Sequence, residues 1–460
     1  MPSLREAQLR HARHYRDVAG ESQGLFMRGG ENVLRGLEIF DRERAHIERA
    51  FEFLASTLSR SSGTFVCPTG QAWGEGETQH ADLIVTLVNA VVWTGQALRF
   101  HPHQRIRWLE AQHRAAHLNN DRESEASALN NLGLAHAALG DARKAIGFHE
   151  QALTIAREIG ERREVGNALG NLGGNYADLG DARKAIEFYE QALVIARETG
   201  DQRAQGVDLG NLGSAYAALG DWRKAIEFFE EALAIDREIG DRHWEGADLG
   251  NLGLAYAHLG KTRKAIKIHE RRLAIARELG DRPAEGGTLV NLGLNYADLG
   301  DLPKAIELYE QGLVIARQVR DPHGEAAALD SLGCAYLDLG DTRKAIECCE
   351  QGLAIASEIG DRHAEGTALG NTGNSYLHMG EAGKAIEFYK QALVIAREIG
   401  DRPGEARHLF NSAVALSQLG EQAQAIACAE AALRICEAIQ DPNAVQVRAA
   451  LAELRGQPSL

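Results

Sequence analysis

The sequence predicts an all-α chain, a superhelical solenoid of antiparallel helix hairpins, and two observations carry that expectation. The phrase Asn131-Leu132-Gly133 returns as Asn171-Leu172-Gly173, Asn211-Leu212-Gly213, Asn251-Leu252-Gly253 and Asn291-Leu292-Gly293, always 40 residues on and without insertions. Weaker copies at Ser331-Leu332-Gly333, Asn371-Thr372-Gly373 and Asn411-Ser412-Ala413 extend the series, so eight units fill residues 121–440. Second, the 49 glycines of 460 residues exceed the roughly 7% average, yet they fall at fixed places in each unit, the mark of a folded array. Each unit of such an array buries its apolar face against its neighbours, so chain length does not count domains.

Upstream of the array, Ser3 to Ala19 and Leu34 to Leu58 carry helical periodicity, and residues 59–80, with Pro68 and several Ser and Gly, read as a loop closing an N-terminal segment 1–80. Residues 81–120 align with the repeat frame without gaps, Trp108 standing for Phe148, Glu110 for Glu150 and Ala116 for Ala156, so a degenerate repeat precedes the eight. Within residues 161–200, Leu169, Leu172 and Tyr176 recur at helical spacing. Gly180-Asp181 interrupts them, and Ala185, Ile186, Tyr189, Ala192, Leu193 and Ala196 resume the pattern. Gly180 suits the left-handed residue that ends a helix and Asp181 the N-cap that opens the next, and Gly200-Asp201 repeats the device. After residue 440, Asp441-Pro442 opens a last helix to about Arg455, and residues 441–460 form a polar end cap and tail.

The net charge is -15, and because residues 1–120 hold 14 Arg, no Lys and 13 acids, the repeats carry all the acidity. An acidic surface repels phosphate backbones and anionic lipid, which argues against nucleic acid or membrane as partner and for a basic peptide. The longest apolar candidate, Leu83 to Trp93, falls well short of the ~20 residues that span a bilayer. Met1 to His14 lacks the apolar stretch of a secretory signal, and the six Cys show no framework spacing, so a cytoplasmic protein with reduced thiols is expected. The vicinal pair Cys348-Cys349 reads as a core substitution.

Motifs for chemistry are missing. Gly260-Lys261-Thr262 mimics the end of a phosphate-binding loop, but Ala255 stands where that motif needs Gly. His113 and His117 are spaced i, i+4 without a third ligand. The sequence therefore predicts a protein that is not an enzyme and uses no cofactor or metal.

The spacing Leu172-Gly173, Tyr176, Ala185, Tyr189 and Ala192 resembles the tetratricopeptide repeat (TPR) signature in a 40-residue form. Among longer repeats it is similar to the arrays of Pins/LGN-type spindle-orientation scaffolds and of kinesin light chains. His11-Ala12-Arg13-His14-Tyr15, followed by Asp41 through Ala50, resembles the helical lead-in to TPR arrays of bacterial STAND-type regulatory ATPases. The resemblance implies that Gly173 and Ala185 are small where two helices touch, and that Tyr176 and Tyr189 fill the space between repeats. It also implies that one stripe of each first helix lines a concave groove. Without a nucleotide site of its own, the chain would be a detached sensor arm or a partner of such an ATPase.

Since Leu169, Leu172 and Tyr176 point inward, residues 167, 171, 174 and 178 form that separate stripe. In it lie Asn131, Asn171, Asn211, Asn251, Asn291, Asn371 and Asn411. An Asn amide donates and accepts, so a ladder of them can pair with the backbone of an extended peptide without demanding a side chain. The alternative is that each bonds a neighbouring helix and fixes repeat geometry. Selectivity falls to the varying positions Ser214, Leu254, Leu294, Cys334 and Asn374, then Asp178, Asp298, Asp338, His258 and His378. The stripe has no Lys and one Arg, Arg407, so the two-Lys carboxylate clamp of chaperone-binding TPR domains is not visible.

Apolar in the middle with acidic flanks, the groove suits an extended or helical segment of another protein, with Leu- or Phe-type anchors and Arg or Lys beside them. Gly170, Gly210, Gly250 and Gly370 sit inside first helices at about 1 kcal/mol each relative to Ala, a cost that close helix approach would explain. Trp222 and Trp244 break the repeat pattern beside inter-helix turns. These readings converge on a protein-interaction scaffold or adaptor. The alternative is a sensor or regulatory subunit controlling a separate effector, an ATPase or protease, in bacterial signalling or defence.

Overall fold

In a computed structural model, which describes residues 3–28, 31–61, 75–91 and 101–456, the described residues form 21 α-helices and no strand. Four helices lead: α1 (Leu4–Met27), α2 (Glu31–Ser61), α3 (Glu75–Asn89) and α4 (Pro102–Leu118). Hairpins come next, as α5 (Arg122–Ala137) with α6 (Ala142–Ile159), α7 (Arg162–Asp178) with α8 (Ala182–Thr199), α9 (Gln202–Ala218) with α10 (Trp222–Ile239) and α11 (Arg242–His258) with α12 (Thr262–Leu279). The series continues as α13 (Arg282–Asp298) with α14 (Leu302–Val319), α15 (Pro322–Asp338) with α16 (Thr342–Ile359), α17 (Arg362–His378) with α18 (Ala382–Ile399) and α19 (Arg402–Gln418) with α20 (Gln422–Ala438). The last helix is α21 (Ala444–Leu454). The chain divides into two compact units, residues 1–235 and 236–460.

In the first unit the leading helices share a core in which Phe51 stacks on Trp108 at a centroid distance of 4.0 Å. Helix α1 runs past its expected end at Ala19 because Ala19 and Ser22 are still buried, the Ser22 hydroxyl donating to the Gly36 carbonyl of α2 over 2.7 Å. Both ends of the expected loop 59–80 are helical. Helix α2 reaches Ser61 and α3 starts at Glu75, while residues 62–74 lie outside the described residues.

Each hairpin is punctuated as its turn residues dictate. Asp141, Asp181, Asp301 and Asp341 accept the backbone N–H three residues on, capping the second helix of their repeats; for Asp181 the distance is 3.2 Å. Second helices end on a left-handed residue, which is Gly360 (φ 72°) in one repeat but Arg320 (φ 58°) in another.

Between the two helices of a repeat, a side chain of the second lies on the Gly of the Asn-Leu-Gly phrase. A Cβ added at Gly173 would sit 2.6 Å from the Tyr189 ring, one at Gly213 2.6 Å from Phe229, and one at Gly293 2.5 Å from Tyr309. Gly133 and Gly253 face His149 and His269 in the same way, Gly333 faces Cys349, and Gly373 faces Tyr389. The eighth repeat shows the rule by exception. Its second helix offers only Ala429, and there the glycine becomes Ala413, with both residues buried in one cluster. At the exposed edge Tyr176 stacks on Phe188 at 5.3 Å, with the Lys184 ammonium 4.8 Å from the Tyr176 ring centre.

Arg320, like Asn120 and Gln440, holds a left-handed conformation where sister repeats carry Gly, which has no Cβ penalty there. We expect Arg320→Gly to stabilise its hairpin by about 1 kcal/mol after allowing for the greater chain entropy of Gly. The expected readout is a higher thermal midpoint and slower amide exchange in α14; an unchanged or lower midpoint would contradict it.

Candidate functional site

Fixing each first helix against its partner through the glycine contact leaves the opposite stripe facing outward. All seven stripe asparagines are half-buried, Leu254 and Leu294 are 39% and 45% exposed, and Asp178, Asp298 and Asp338 lie exposed at the outer end of the stripe. Asn374 is half-buried and its amide oxygen accepts the Tyr389 hydroxyl over 2.7 Å, so the ring that sits on Gly373 also reaches the stripe. Trp222 and Trp244, which broke the sequence pattern, are half-buried where their turns begin.

The asparagines fall into two groups. The amide of Asn171 donates to Asn130 (2.9 Å), that of Asn371 to both carboxylate oxygens of Asp330 (2.8 and 2.9 Å), and that of Asn411 to Asn374 (2.9 Å), each reaching the preceding repeat. For Asn171 and Asn371 the acceptor lies 41 residues earlier. Gly occupies that place before Asn211 (Gly170) and before Asn291 (Gly250), so no side chain is there to accept. Asn131, Asn211, Asn251 and Asn291 hold no side-chain hydrogen bond among the described residues. These four amides are half-buried and available to a ligand.

The stripe glycines have a more specific cause than helix approach. A Cβ at Gly250 would meet the Arg272 guanidinium at 2.7 Å, and one at Gly370 the His408 ring at 2.5 Å, while Gly170 has only the Asp208 carboxylate at 3.5 Å. The glycines make room for side chains that enter from the next helices, which a single repeat's periodicity does not reveal.

Near the C-terminal part of the stripe, Cys334, Asp338, Asn371 and Asn374 line a small cleft of about 140 Å³ with the buried Cys349 beneath. Desolvation first, then the Asp330 and Asp338 carboxylates, push the Cys334 thiol up to about 12, so it stands as a neutral thiol. Asp330 is itself raised by burial, partly offset by the hydrogen bond from Asn371.

A tetratricopeptide repeat profile matches residues 124–198, 202–278, 285–358 and 360–438. The chain belongs to the tetratricopeptide repeat family. No curated protein matches it. Among solved structures it resembles the apo form of the quorum sensor NprR from B. thuringiensis, at 15% identity, covering 82% of this chain and 98% of that one with a TM-score of 0.56. A Rap protein complexed with competence and sporulation factor matches at 16% identity over 84% of this chain and 99% of that one, TM-score 0.53. A STAND protein with a tetratricopeptide repeat sensor from Pyrococcus horikoshii matches at 18% identity over 87% of this chain, TM-score 0.51, and this chain spans 54% of its length. At these identities the likeness shows the shared fold. Among the described residues no helix is long and apolar enough to cross a membrane.

Behind the stripe lie buried ionisable groups, two of them, Asp236 and Asp248, in columns where Ala recurs. Asp236 and Asp248, 3% and 4% exposed, hydrogen-bond each other. Burial raises both above the usual carboxylate range, and the neighbouring Asp241 and Glu245 charges add to the effect on Asp236. His149 and His269, sealed at 0% exposure against their glycines, are pushed down to about 4 by desolvation.

A carboxyl raised in the folded state stabilises it fully at pH below the unfolded carboxylate value and loses that contribution as pH rises through the folded value. For this pair the loss begins near the unfolded carboxylate value of about 4 and is complete only by about 8. Restoring the sister residues with Asp236→Ala and Asp248→Ala is expected to flatten the decline of the thermal midpoint across that window and raise stability at its alkaline end. A double variant with the wild-type pH slope would contradict the assignment.

Proposed function

We propose that the chain is a non-enzymatic binding module that holds an extended or helical segment of another protein along the asparagine stripe. The observation that carries this reading is the set of amides at Asn131, Asn211, Asn251 and Asn291 that the protein leaves unused beside the exposed Leu254 and Leu294. A half-buried amide that bonds nothing in the protein can bond water instead, and an extended main chain can replace that water at both its donor and its acceptor. The partner segment carries Leu- or Phe-type anchors, and Arg or Lys placed against Asp178, Asp298 and Asp338. The bonded asparagines, Asn171, Asn371 and Asn411, serve the array itself by tying successive first helices together. Both uses of the residue therefore coexist in one chain.

A second reading makes the chain a cytoplasmic sensor or regulatory subunit of a separate effector. It is supported by the fold shared with a quorum sensor, a Rap protein crystallised with a factor, and the sensor of a STAND protein. The two readings share the same stripe and differ in the consequence of binding, which is tethering in the first and control of the effector in the second.

The test compares two paired variants by affinity capture from the source lysate. Asn251→Ala with Asn291→Ala is expected to keep helicity and thermal midpoint while losing a partner retained by wild type. Asn171→Ala with Asn371→Ala is expected to lower the midpoint, by about 1 kcal/mol for each lost hydrogen bond. Equal retention of every partner by the first pair and wild type would sink the ladder as a binding surface.

A further inference from the structure

One side chain departs from the repeat more sharply than any stripe residue. At the position of Arg272 the other seven repeats carry Ala152, Ala192, Ala232, Gly312, Gly352, Ala392 and Ala432. The chain places a guanidinium where its sisters need a small apolar residue. Its atoms lie against Gly250 of α11, filling the space that a Cβ there would take. They also line two clefts, one of about 130 Å³ toward His243 and Leu279, and one of about 280 Å³ toward Gly287 and Asn291 of α13.

Gly287 and Asn291 belong to the stripe, at the positions that 167 and 171 occupy in an earlier repeat. Gly287 is exposed with open space where its Cβ would stand, so the larger cleft opens onto the stripe beside a free asparagine amide.

Arg272 is half-buried and has no ion pair or hydrogen bond among the described residues. The acids nearest the clefts are already engaged: Asp281 accepts the Ala284 N–H at 3.0 Å, and Asp321 accepts the Gly324 N–H at 3.0 Å, each capping a helix. Behind the guanidinium the buried His269 is kept neutral by desolvation, so it neither competes nor assists. The Asp281 charge offsets part of the desolvation of the guanidinium without hydrogen-bonding to it, so the Arg272 donors stay unmatched, and a guanidinium cannot shed its charge by deprotonation.

We propose that the Arg272 cleft is an anchor site for a carboxylate on the bound peptide segment, an Asp or Glu side chain gripped by the guanidinium with help from the Asn291 amide. The planar fork of Arg matches the two oxygens of a carboxylate, and the Asn amide supplies a third donor at the mouth of the cleft. A single negative charge fits better than a phosphate, because Asp281 and Asp321 line the clefts and would repel a second charge. The consequence is register. The free asparagines are chemically identical and read any main chain alike, whereas one acidic anchor at one repeat fixes which peptide residue sits where. This inference rests on the groove reading above and adds to it a chemical requirement that the acidic flanks of the stripe do not suggest.

Random linear peptides displayed on phage and panned against the full chain test both layers separately. Wild type is expected to select sequences with an acidic residue at a constant offset from Leu- or Phe-type anchors. Arg272→Ala, which installs the sister residue, and Arg272→Gln, which keeps most of the side chain's length, are expected to retain the apolar preference and lose the acidic one. A synthetic peptide carrying the selected sequence should bind either variant roughly ten- to a hundredfold more weakly than wild type.

Selection of apolar and basic positions without an acidic one would leave the groove reading standing and overturn this proposal, as would an acidic preference that survives in both variants. Selection of no peptide at all would overturn the groove reading and this proposal with it. Inorganic phosphate that raises the thermal midpoint of wild type but of neither variant, without an acidic preference in the display, would reassign the cleft to a phosphate and overturn the carboxylate assignment.

Discussion

The contact on which the rest of the molecule depends is a second-helix side chain resting on a first-helix glycine. A ring needs a flat recess, and the missing Cβ of Gly173, Gly213 or Gly293 provides it. Because a side chain in that recess sets the rotation of the first helix, the leucine of each phrase is driven inward and its asparagine outward. The pairing of Ala413 with Ala429 in the eighth repeat shows the same constraint met with smaller partners. Inward and outward faces are thus settled together, and the stripe is a by-product of packing before it is a binding surface.

Spacing alone made the hairpins, their caps and the outward stripe legible, since each rests on contacts within one 40-residue unit. Contacts between units were harder to read. Whether an asparagine is tied or free depends on residues of the preceding repeat, Asn130 for Asn171, Asp330 for Asn371 and Asn374 for Asn411, and only a fold that sets first helices side by side gives those separations meaning. Arg272 looks in the sequence like the second member of an exposed Arg271-Arg272 pair, although its place in the frame belongs to Ala or Gly. The signal was present as a departure from the column of sister residues, and so was the buried pair Asp236 and Asp248, which stands where Ala recurs. At the N-terminus the shortfall was different. Polar letters near Glu75 hid the start of α3 because a helix's first turn is normally polar.

Regularity and exception divide the labour. Regular features hold the array: the aspartate caps, the glycine recesses, and Arg–Glu clamps between successive repeats such as Arg277 with Glu285 at 2.9 Å and Arg397 with Glu405 at 2.8 Å. The carboxylates in these clamps are buried, and a second arginine, Arg282 or Arg402, shares each, so neither charge is left unmatched. Exceptional residues cost stability where they sit, as a guanidinium with no hydrogen-bond partner among the described residues, a buried acid pair, or glycines within helices. A chain that only had to stack would replace each with Ala, and a chain that must recognise a segment in one register has a use for Arg272 and for free amides on the stripe.

The central claim is that the unengaged asparagines receive a peptide main chain. A crystal structure of the chain bound to a peptide that it selects addresses this most directly. The account predicts the Asn251 and Asn291 amides within hydrogen-bonding distance of the peptide backbone, with the Asn371 amide still on Asp330. A peptide seated on the second helices, or on the stripe with its backbone out of reach of Asn251 and Asn291, would contradict it.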